Sequence, residues 1–182
     1  GFLSIFVKMY LRSLNLVNFK NYTAAEFEFD EHITVFTGDN GAGKTNILDA
    51  IHYLSLTKSY FNAIDSQQIR HGEDFFVVSG SVTKEDKEES LYCGLKRNQK
   101  KVFKRNKKDY PRLADHIGFL PITIISPNDV VLITEGSEER RKFIDSVISQ
   151  TDTTYLDTLI QYTKALSNRN ALLKHFGDNR TF

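Results

Sequence analysis

The stretch Gly38-Asp39-Asn40-Gly41-Ala42-Gly43-Lys44-Thr45 decides the fold, because it matches the pattern G-x-x-x-x-G-K-[ST] at every fixed position. An apolar run precedes it, and a segment with helical periodicity follows it. A strand, a glycine-rich loop and a helix in this order are typical of a phosphate-binding loop. The alternative is a glycine-rich turn that merely joins a strand to a helix. The eight-residue match and its context are joint requirements, so the sequence favours the phosphate-binding loop.

Each residue type in this stretch has a physical role. Glycine lets successive backbone N–H groups converge on phosphate oxygens. Lys44 is predicted to reach the β and γ phosphates, and the Thr45 hydroxyl is predicted to hold Mg²⁺ at the positive end of the helix. ATP and Mg²⁺ are therefore the expected ligands, with Lys44 and Thr45 as the catalytic residues. The predicted nucleotide-binding residues are Gly38, Asp39, Asn40, Gly41, Ala42, Gly43, Lys44, Thr45 and Asn46.

The segments that flank the loop support this interpretation. Residues 32–37 are rich in β-branched and aromatic side chains, which predicts a buried parallel strand that feeds the loop. Residues 46–57 carry apolar side chains at helical spacing. These apolar positions are Ile47, Leu48, Ile51, Leu54 and Leu56.

Composition sets the limits of the remaining interpretation. The chain has 182 residues, of which 40% are hydrophobic and 26% charged, which fits one good core or one domain with an appendage. A single cysteine, Cys93, excludes an internal disulfide framework and fits a reducing cytoplasm. No stretch approaches the roughly 18 apolar residues of a membrane span. Met9 is the only methionine, so we expect residues 1–8 to be an artificial or mis-assigned extension.

The other segments predict an antiparallel β-meander followed by helices. Residues 10–19 and 25–29 read as two strands, and the turn between them is expected near the nucleotide base. Strands are also predicted at 75–82, 90–95, 101–105 and 120–125. Short helical turns are expected at 65–70 and 130–133, and Ser137 is expected to cap a helix whose buried face holds Phe143, Ile144, Val147 and Ile148. A long final helix, ending near Gly177, carries a seam that needs a partner, formed by Leu156, Leu159, Thr163, Leu166, Asn170 and Leu173.

Several of these stretches together resemble one protein family. They are LVNFKNY at 16–22, the phosphate-binding loop with its helix, IISPNDV at 124–130, EGSEERRKFID at 135–145 and RNALL at 169–173. They are similar to the RecF family of DNA-repair ATPases, whose heads belong with those of the SMC proteins to the ABC-type superfamily. Three positions depart from the family pattern. Lys20 stands where arginine is usual, Phe61 where a basic residue is expected, and Asn128 where an acid is usual.

The resemblance implies a fold and a domain organisation. The fold class is α/β, a P-loop NTPase head of the ABC type with a mixed sheet, an antiparallel β-meander and the start of a helical lid or arm subdomain. Residues 9–135 would form the amino-terminal lobe of the head, and residues 136–182 would open the lid or arm. No segment after residue 130 reads as a buried strand ending in paired acids, where the Walker B residues belong. We therefore expect an amino-terminal fragment that is inactive alone.

The resemblance also implies a function. The whole protein would be a cytoplasmic ATPase of recombinational DNA repair and of the SOS response. It would bind single-stranded and double-stranded DNA at gaps, junctions or stalled forks as an ATP-dependent homodimer, and would help RecO and RecR to load recombinase. Two alternatives remain open. The chain could come from another SMC-like head or an ATP-dependent nuclease, or, less in keeping with the sequence, from a small-molecule P-loop kinase without DNA.

Two further site predictions have alternatives. Eight basic residues and no acid occupy residues 96–108, and Lys100, Lys101, Lys104 and Arg105 could contact DNA phosphates. The alternative is a solvated edge hairpin whose lysines discourage aggregation. By resemblance, Asn128 could replace the glutamine that touches the metal and the attacking water. Alternatively, residues 126–129 simply cap the short helix that follows.

Overall fold

The fold comes from a computed structural model that describes residues 8–134 and 136–179, apart from the side chains of residues 128, 131 and 177–179. Contacts divide the chain into two units, the first ending at Ile122 and the second beginning at Thr123. The predicted domain limits, 9–135 and 136–182, remain a prediction. Most of the predicted extension, residues 1–7, lies outside the described residues. Lys8 forms an ion pair with Glu31 at 3.0 Å.

The first unit is built on one six-stranded antiparallel sheet in the order β2-β1-β3-β4-β5-β6. The strands are β1 (Met9–Phe19), β2 (Tyr22–Glu28), β3 (Phe75–Lys84), β4 (Lys87–Lys96), β5 (Val102–Arg105) and β6 (Lys108–Asp109). The predicted β-meander is confirmed, since β3, β4, β5 and β6 follow one another both along the chain and in the sheet and are joined by short connections of the kind that hairpins need.

Tight turns explain this topology. The connection between β3 and β4 is two residues long, and Glu85 and Asp86 have φ angles of 48° and 61°. Asn106 and Lys107, between β5 and β6, have φ angles of 50° and 66°. Two consecutive left-handed residues match the right-handed twist of the flanking strands, which is why such turns close hairpins. The polar residues at these positions thus fix the register of the sheet.

The core lies between one face of the sheet and α1 (Lys44–Leu56). Alternate residues of β3 and β4 are buried, as the period of a strand with one covered face requires. Phe19, Tyr53 and Phe76 form an edge-to-face cluster with ring centroids 5.4–6.0 Å apart. Burial lowers the pKa of His116 to about 4, so this ring, whose Nε2 lies 2.6 Å from the Leu54 carbonyl oxygen, is neutral at pH 7.

Two predicted strands are wrong. Residues 32–37 and 120–125 are not paired into the described sheet. In the first, Phe36 packs edge-to-face on Phe27 and Phe29, whereas Ile33 and Val35 are 80% and 74% exposed. The described residues provide no neighbouring strand for either segment, and a strand exists only beside one. The described sheet is therefore antiparallel throughout, while the α/β class of a P-loop head is confirmed by the loop, its helix and this sheet.

The second unit is helical. A 3₁₀ turn at Pro127–Val130 leads into α2 (Val131–Thr134), α3 (Ser137–Ser149) and α4 (Thr153–Asn179). The cap of α3 is Gly136 rather than the predicted Ser137, which is the first helical residue and accepts a hydrogen bond from Arg141 at 2.7 Å. The predicted buried face of α3 is about half exposed, with Phe143 at 44% and Ile144 at 51%. Among the described residues, no helix is long and apolar enough to cross a membrane.

Candidate nucleotide-binding site

The predicted phosphate-binding loop joins the unpaired segment 32–37 to α1. Its three glycines have φ angles of 143° at Gly38, 86° at Gly41 and 104° at Gly43, which L side chains rarely adopt. The chain curls so that the Lys44 ammonium donates hydrogen bonds to the carbonyl oxygens of Gly38 at 2.6 Å and Asp39 at 2.8 Å. The lysine charge therefore lies inside the curl of the loop.

The turn between β1 and β2 braces this loop. Asn21 Nδ2 donates to the Ala42 carbonyl at 3.3 Å, and Asn46 Nδ2 donates to Asn21 Oδ1 at 2.7 Å. A Cβ on Gly43 would lie 2.5 Å from Asn21 Nδ2 and 2.9 Å from the Tyr22 hydroxyl, so a larger residue would displace the bracing side chains in addition to the strain that its φ angle of 104° imposes. Chain order alone predicts that this turn lies near the nucleotide base. The structure adds the contact with the loop itself and gives Asn46 a bridging role.

The start of α1 suits an anion. Gly43 is the N-cap, makes no side-chain capping bond, and no acidic residue occupies the first turn. The first backbone N–H groups of a helix lack partners within it, and its dipole is positive at this end. Thr45 is exposed in the same turn. The donor set of glycine-loop amides, one ammonium and one hydroxyl thus fits a phosphate chain with its magnesium ion.

A buried carboxylate, which the sequence did not indicate, links α1 to the segments around the phosphate-binding loop. Asp49 lies one helical turn after Thr45 and is fully buried. Its carboxylate accepts hydrogen bonds from the Ser59 hydroxyl and the Tyr60 backbone N–H, each at 2.7 Å, and pairs with Lys20 at 2.5 Å. This network ties the braced turn and the segment after α1 to the helix that carries the loop.

Two departures from the family pattern meet in this network. The Lys20 ammonium lies 5.4 Å from the centre of the Phe61 ring. A cation at this distance from an aromatic face is attracted by the ring quadrupole. The aromatic residue at 61 therefore packs on the lysine at 20, and these two departures form one contact.

The basic stretch is less available to DNA than its sequence suggests. The Lys101 side chain is only 9% exposed, and its ammonium bonds to Asp65 at 2.7 Å and to the Thr57 carbonyl at 2.5 Å. The Lys101 ammonium is therefore engaged within the first unit, and its DNA contact remains a prediction. The Lys104 ammonium lies 3.5 Å from Asp109, whereas Lys100 is exposed.

The Arg105 side chain also makes its contacts within the first unit. It pairs with Glu89 through two bonds of 3.0 and 3.1 Å, and its guanidinium lies 4.1 Å from the centre of the Phe119 ring. The hydrogen bonds from Arg105 lower the pKa of the Glu89 carboxyl below its ordinary value. Together with Lys101, Arg105 shows that two of the four predicted DNA contacts fasten the hairpin to the rest of the unit.

Asn128 lies in the 3₁₀ turn of the second unit, but its side chain lies outside the described residues. Its metal role remains a prediction. The neighbouring Ser126 N–H donates to Asp129 Oδ2 at 2.6 Å, and the Asp129 N–H donates back to the Ser126 carbonyl at 3.0 Å. The first bond, from a side chain back to the N–H three residues earlier, is the one expected if this segment caps the following helix, and the second is the backbone bond of the 3₁₀ turn. In the part of the chain that the structure describes, no group of three or more His, Cys, Asp or Glu side chains could hold a metal.

The chain matches one protein-family model and is similar to several RecF proteins. The family model described as an AAA domain matches residues 13–181. The DNA replication and repair protein RecF of Flavobacterium johnsoniae is 57% identical over 174 residues, which are 96% of this chain and 48% of that protein. RecF of Phocaeicola vulgatus is 56% identical over 91% of this chain and 45% of its own length. The chain thus spans about half the length of the curated relatives it matches.

Solved structures give the same result. The recombination mediator protein RecF with ATP, of the RecFOR pathway, has a TM-score of 0.86 at 35% identity, over 96% of this chain and 47% of that one. An Smc head domain with coiled coil and joint from Pyrococcus yayanosii has a TM-score of 0.61 at 22% identity, over 94% of this chain and 39% of its own. The second likeness concerns the fold alone.

Proposed function

The chain belongs to the AAA domain family, and on that premise we propose that it is the ATP-binding part of a RecF-type DNA-repair ATPase. The observation that carries the proposal is the loop of residues 38–45. Its glycines adopt left-handed angles, its lysine lies inside the curl, and the Asn21 turn braces it. The similarity to RecF, including a RecF structure with ATP, supports ATP as the nucleotide.

The predicted site residues then have separate tasks. Backbone amides of the loop and of the first turn of α1 would hold the phosphates, and Lys44 would neutralise the β and γ groups. Thr45 would hold Mg²⁺, which supplies charge stabilisation to phosphoryl transfer when it is bound. Asn21 and Asp49 position these groups without touching the phosphates. Asn128 remains a candidate for the metal.

The activity of the whole protein is part of the proposal. By similarity to RecF, the complete protein would hydrolyse ATP as a homodimer, bind DNA at gaps, junctions or stalled forks, and act with RecO and RecR to load recombinase in the cytoplasm. The 182-residue chain would bind ATP but would not hydrolyse it, because the Walker B and signature residues are expected elsewhere in the protein.

Calorimetric titration with ATP and Mg²⁺ tests the nucleotide site. We expect the chain to bind one ATP, and Lys44→Ala to weaken binding by more than about tenfold, since a charged hydrogen-bond partner is lost. Lys58→Ala is a matched control, because Lys58 is an exposed lysine just beyond α1. Equal affinity of the Lys44→Ala variant and the parent chain would refute the assignment of the loop.

A further inference from the structure

The face of the sheet that points away from α1 carries an open groove of about 850 Å³ across β1, β3, β4 and β5. Its floor combines small hydroxyl side chains with large apolar ones. Among the latter, Phe75 is 40% exposed, Tyr92 38% and Val102 40%. Phe75 is the first residue of β3 and Tyr92 lies in the middle of β4, and large apolar side chains left exposed together on one face of a sheet mark a binding surface.

The Tyr92 ring is held in a particular pose over this floor. A Cβ on Gly94 would lie 2.7 Å from the Tyr92 hydroxyl and 3.1 Å from each of two ring carbons. The ring therefore leans along β4 and covers the space that glycine leaves, since residues two apart share one face of a strand. Glycine inside a strand is destabilising. At position 94 it leaves space for the Tyr92 ring to lie flat against the exposed face of the sheet.

Lysines accompany these rings. Lys96 stands directly across from Phe75, and Lys104 directly across from Tyr92. Such cross-strand neighbours have Cβ atoms about 5 Å apart, so one ligand can contact a ring and its lysine together. The two rings are separated by four residues along the sheet, or about 13 Å.

The net charge of the groove is positive. Lys104 is offset by Asp109, and Glu88 is offset by Arg12 at 3.7 Å. Lys96, Lys100 and Lys107 also line the groove, and within the described ranges none of them lies within ion-pair distance of a carboxylate. Three uncompensated ammonium groups thus surround an aromatic floor.

We propose that this groove binds single-stranded DNA. Unpaired bases stack on exposed aromatic rings while lysines neutralise the backbone, and both components are present here in neighbouring positions. A duplex keeps its bases stacked inside, so it would use the lysines but not the rings. The inference rests on the proposed function in one respect, namely that the ligand is DNA. It keeps Lys100 from the predicted set and adds Lys96, Lys107 and Tyr92.

Fluorescence anisotropy with a labelled oligo(dT) of about 12 nucleotides tests the proposal on the 182-residue chain. Tyr92→Ala should weaken binding about tenfold, since one stacked base is lost. Gly94→Ala should weaken it in the same direction, because the methyl group displaces the end of the Tyr92 side chain while the backbone stays in place. Lys100→Glu should reduce the slope of log affinity against log salt by about 0.7.

Lys108→Glu is the matched control. Lys108 stands across from Arg105, whose guanidinium packs on Phe119, so it lies on the other face of the same hairpin. Its reversal should leave the salt slope nearly unchanged. Unchanged affinity in Tyr92→Ala, or tighter binding of a duplex of equal length, would overturn the inference. ATP titration of the same variants separates the two proposals, since a failed DNA assay with normal ATP binding refutes only the groove.

Discussion

The hairpin strands and the two unpaired segments, residues 32–37 and 120–125, have similar sequences but differ in burial. Val78 on β3 is fully buried, whereas Val35, in the segment before the phosphate-binding loop, is 74% exposed. Ile125 is 85% exposed in the other unpaired segment, whereas Leu91 on β4 is 1% exposed. Apolar, β-branched composition is common to both classes, so composition does not explain the difference.

Chain connectivity explains it. A hairpin strand finds its neighbour a few residues away, across a turn such as Glu85-Asp86. A parallel strand receives its neighbour from a distant part of the chain, and it reads as apolar on both sides because both faces become covered. Residues 32–37 fit this second description, with Phe36 on the covered side and Ile33 on the uncovered one.

The largest expected effect is on the free energy of unfolding, when a residue of a hairpin strand and a residue of an unpaired segment are shortened by the same number of carbon atoms. Leu91→Ala should lower the free energy of unfolding by about 3 to 4 kcal/mol, because it leaves a cavity beneath the sheet. Ile33→Ala, which truncates an isomeric side chain in the unpaired segment, should change it by less than about 0.5 kcal/mol. Urea unfolding followed by circular dichroism measures both. Similar losses in the two variants would mean that residues 32–37 are packed like a core strand.

A smaller effect separates two adjacent lysines of the basic stretch. Lys101→Met should cost about 2 kcal/mol, because it leaves Asp65 and the Thr57 carbonyl without their buried partner. Lys100→Met, one residue earlier on the exposed side, should cost less than about 0.5 kcal/mol. The same urea experiment compares them. If Lys101→Met were as stable as the parent chain, its ammonium would be available for other contacts.

Local signals in the sequence predicted most of the first unit. The phosphate-binding loop, α1 and the hairpins depend on glycine positions, turn residues and short-range periodicity, all visible within windows of ten residues. The turn at 20–22 was expected near the nucleotide only because of its place in chain order. Its hydrogen bond to the Ala42 carbonyl depends on how β1 and α1 pack, which no local pattern encodes.

Long-range pairing accounts for what the sequence did not predict. Asp49 is one polar residue on a helix, and nothing near it in sequence shows that Lys20 and Ser59 will reach it. Lys101 belongs to a run of basic residues, so its partner Asp65, 36 residues away, was hidden by charge composition. The strands predicted at residues 32–37 and 120–125 are wrong for a related reason. A strand pattern in the sequence does not show whether a neighbouring strand is present.

Amide hydrogen exchange of the chain, with and without ATP and Mg²⁺, tests most directly whether local structure alone builds the nucleotide site. We expect strong protection in β1, β3 and β4, little in residues 33–37, and new protection in residues 40–46 when ATP is added. Protection of residues 33–37 equal to that of β3 would contradict the account of the fold. Absence of any change in residues 40–46 on addition of saturating ATP would contradict the account of the site.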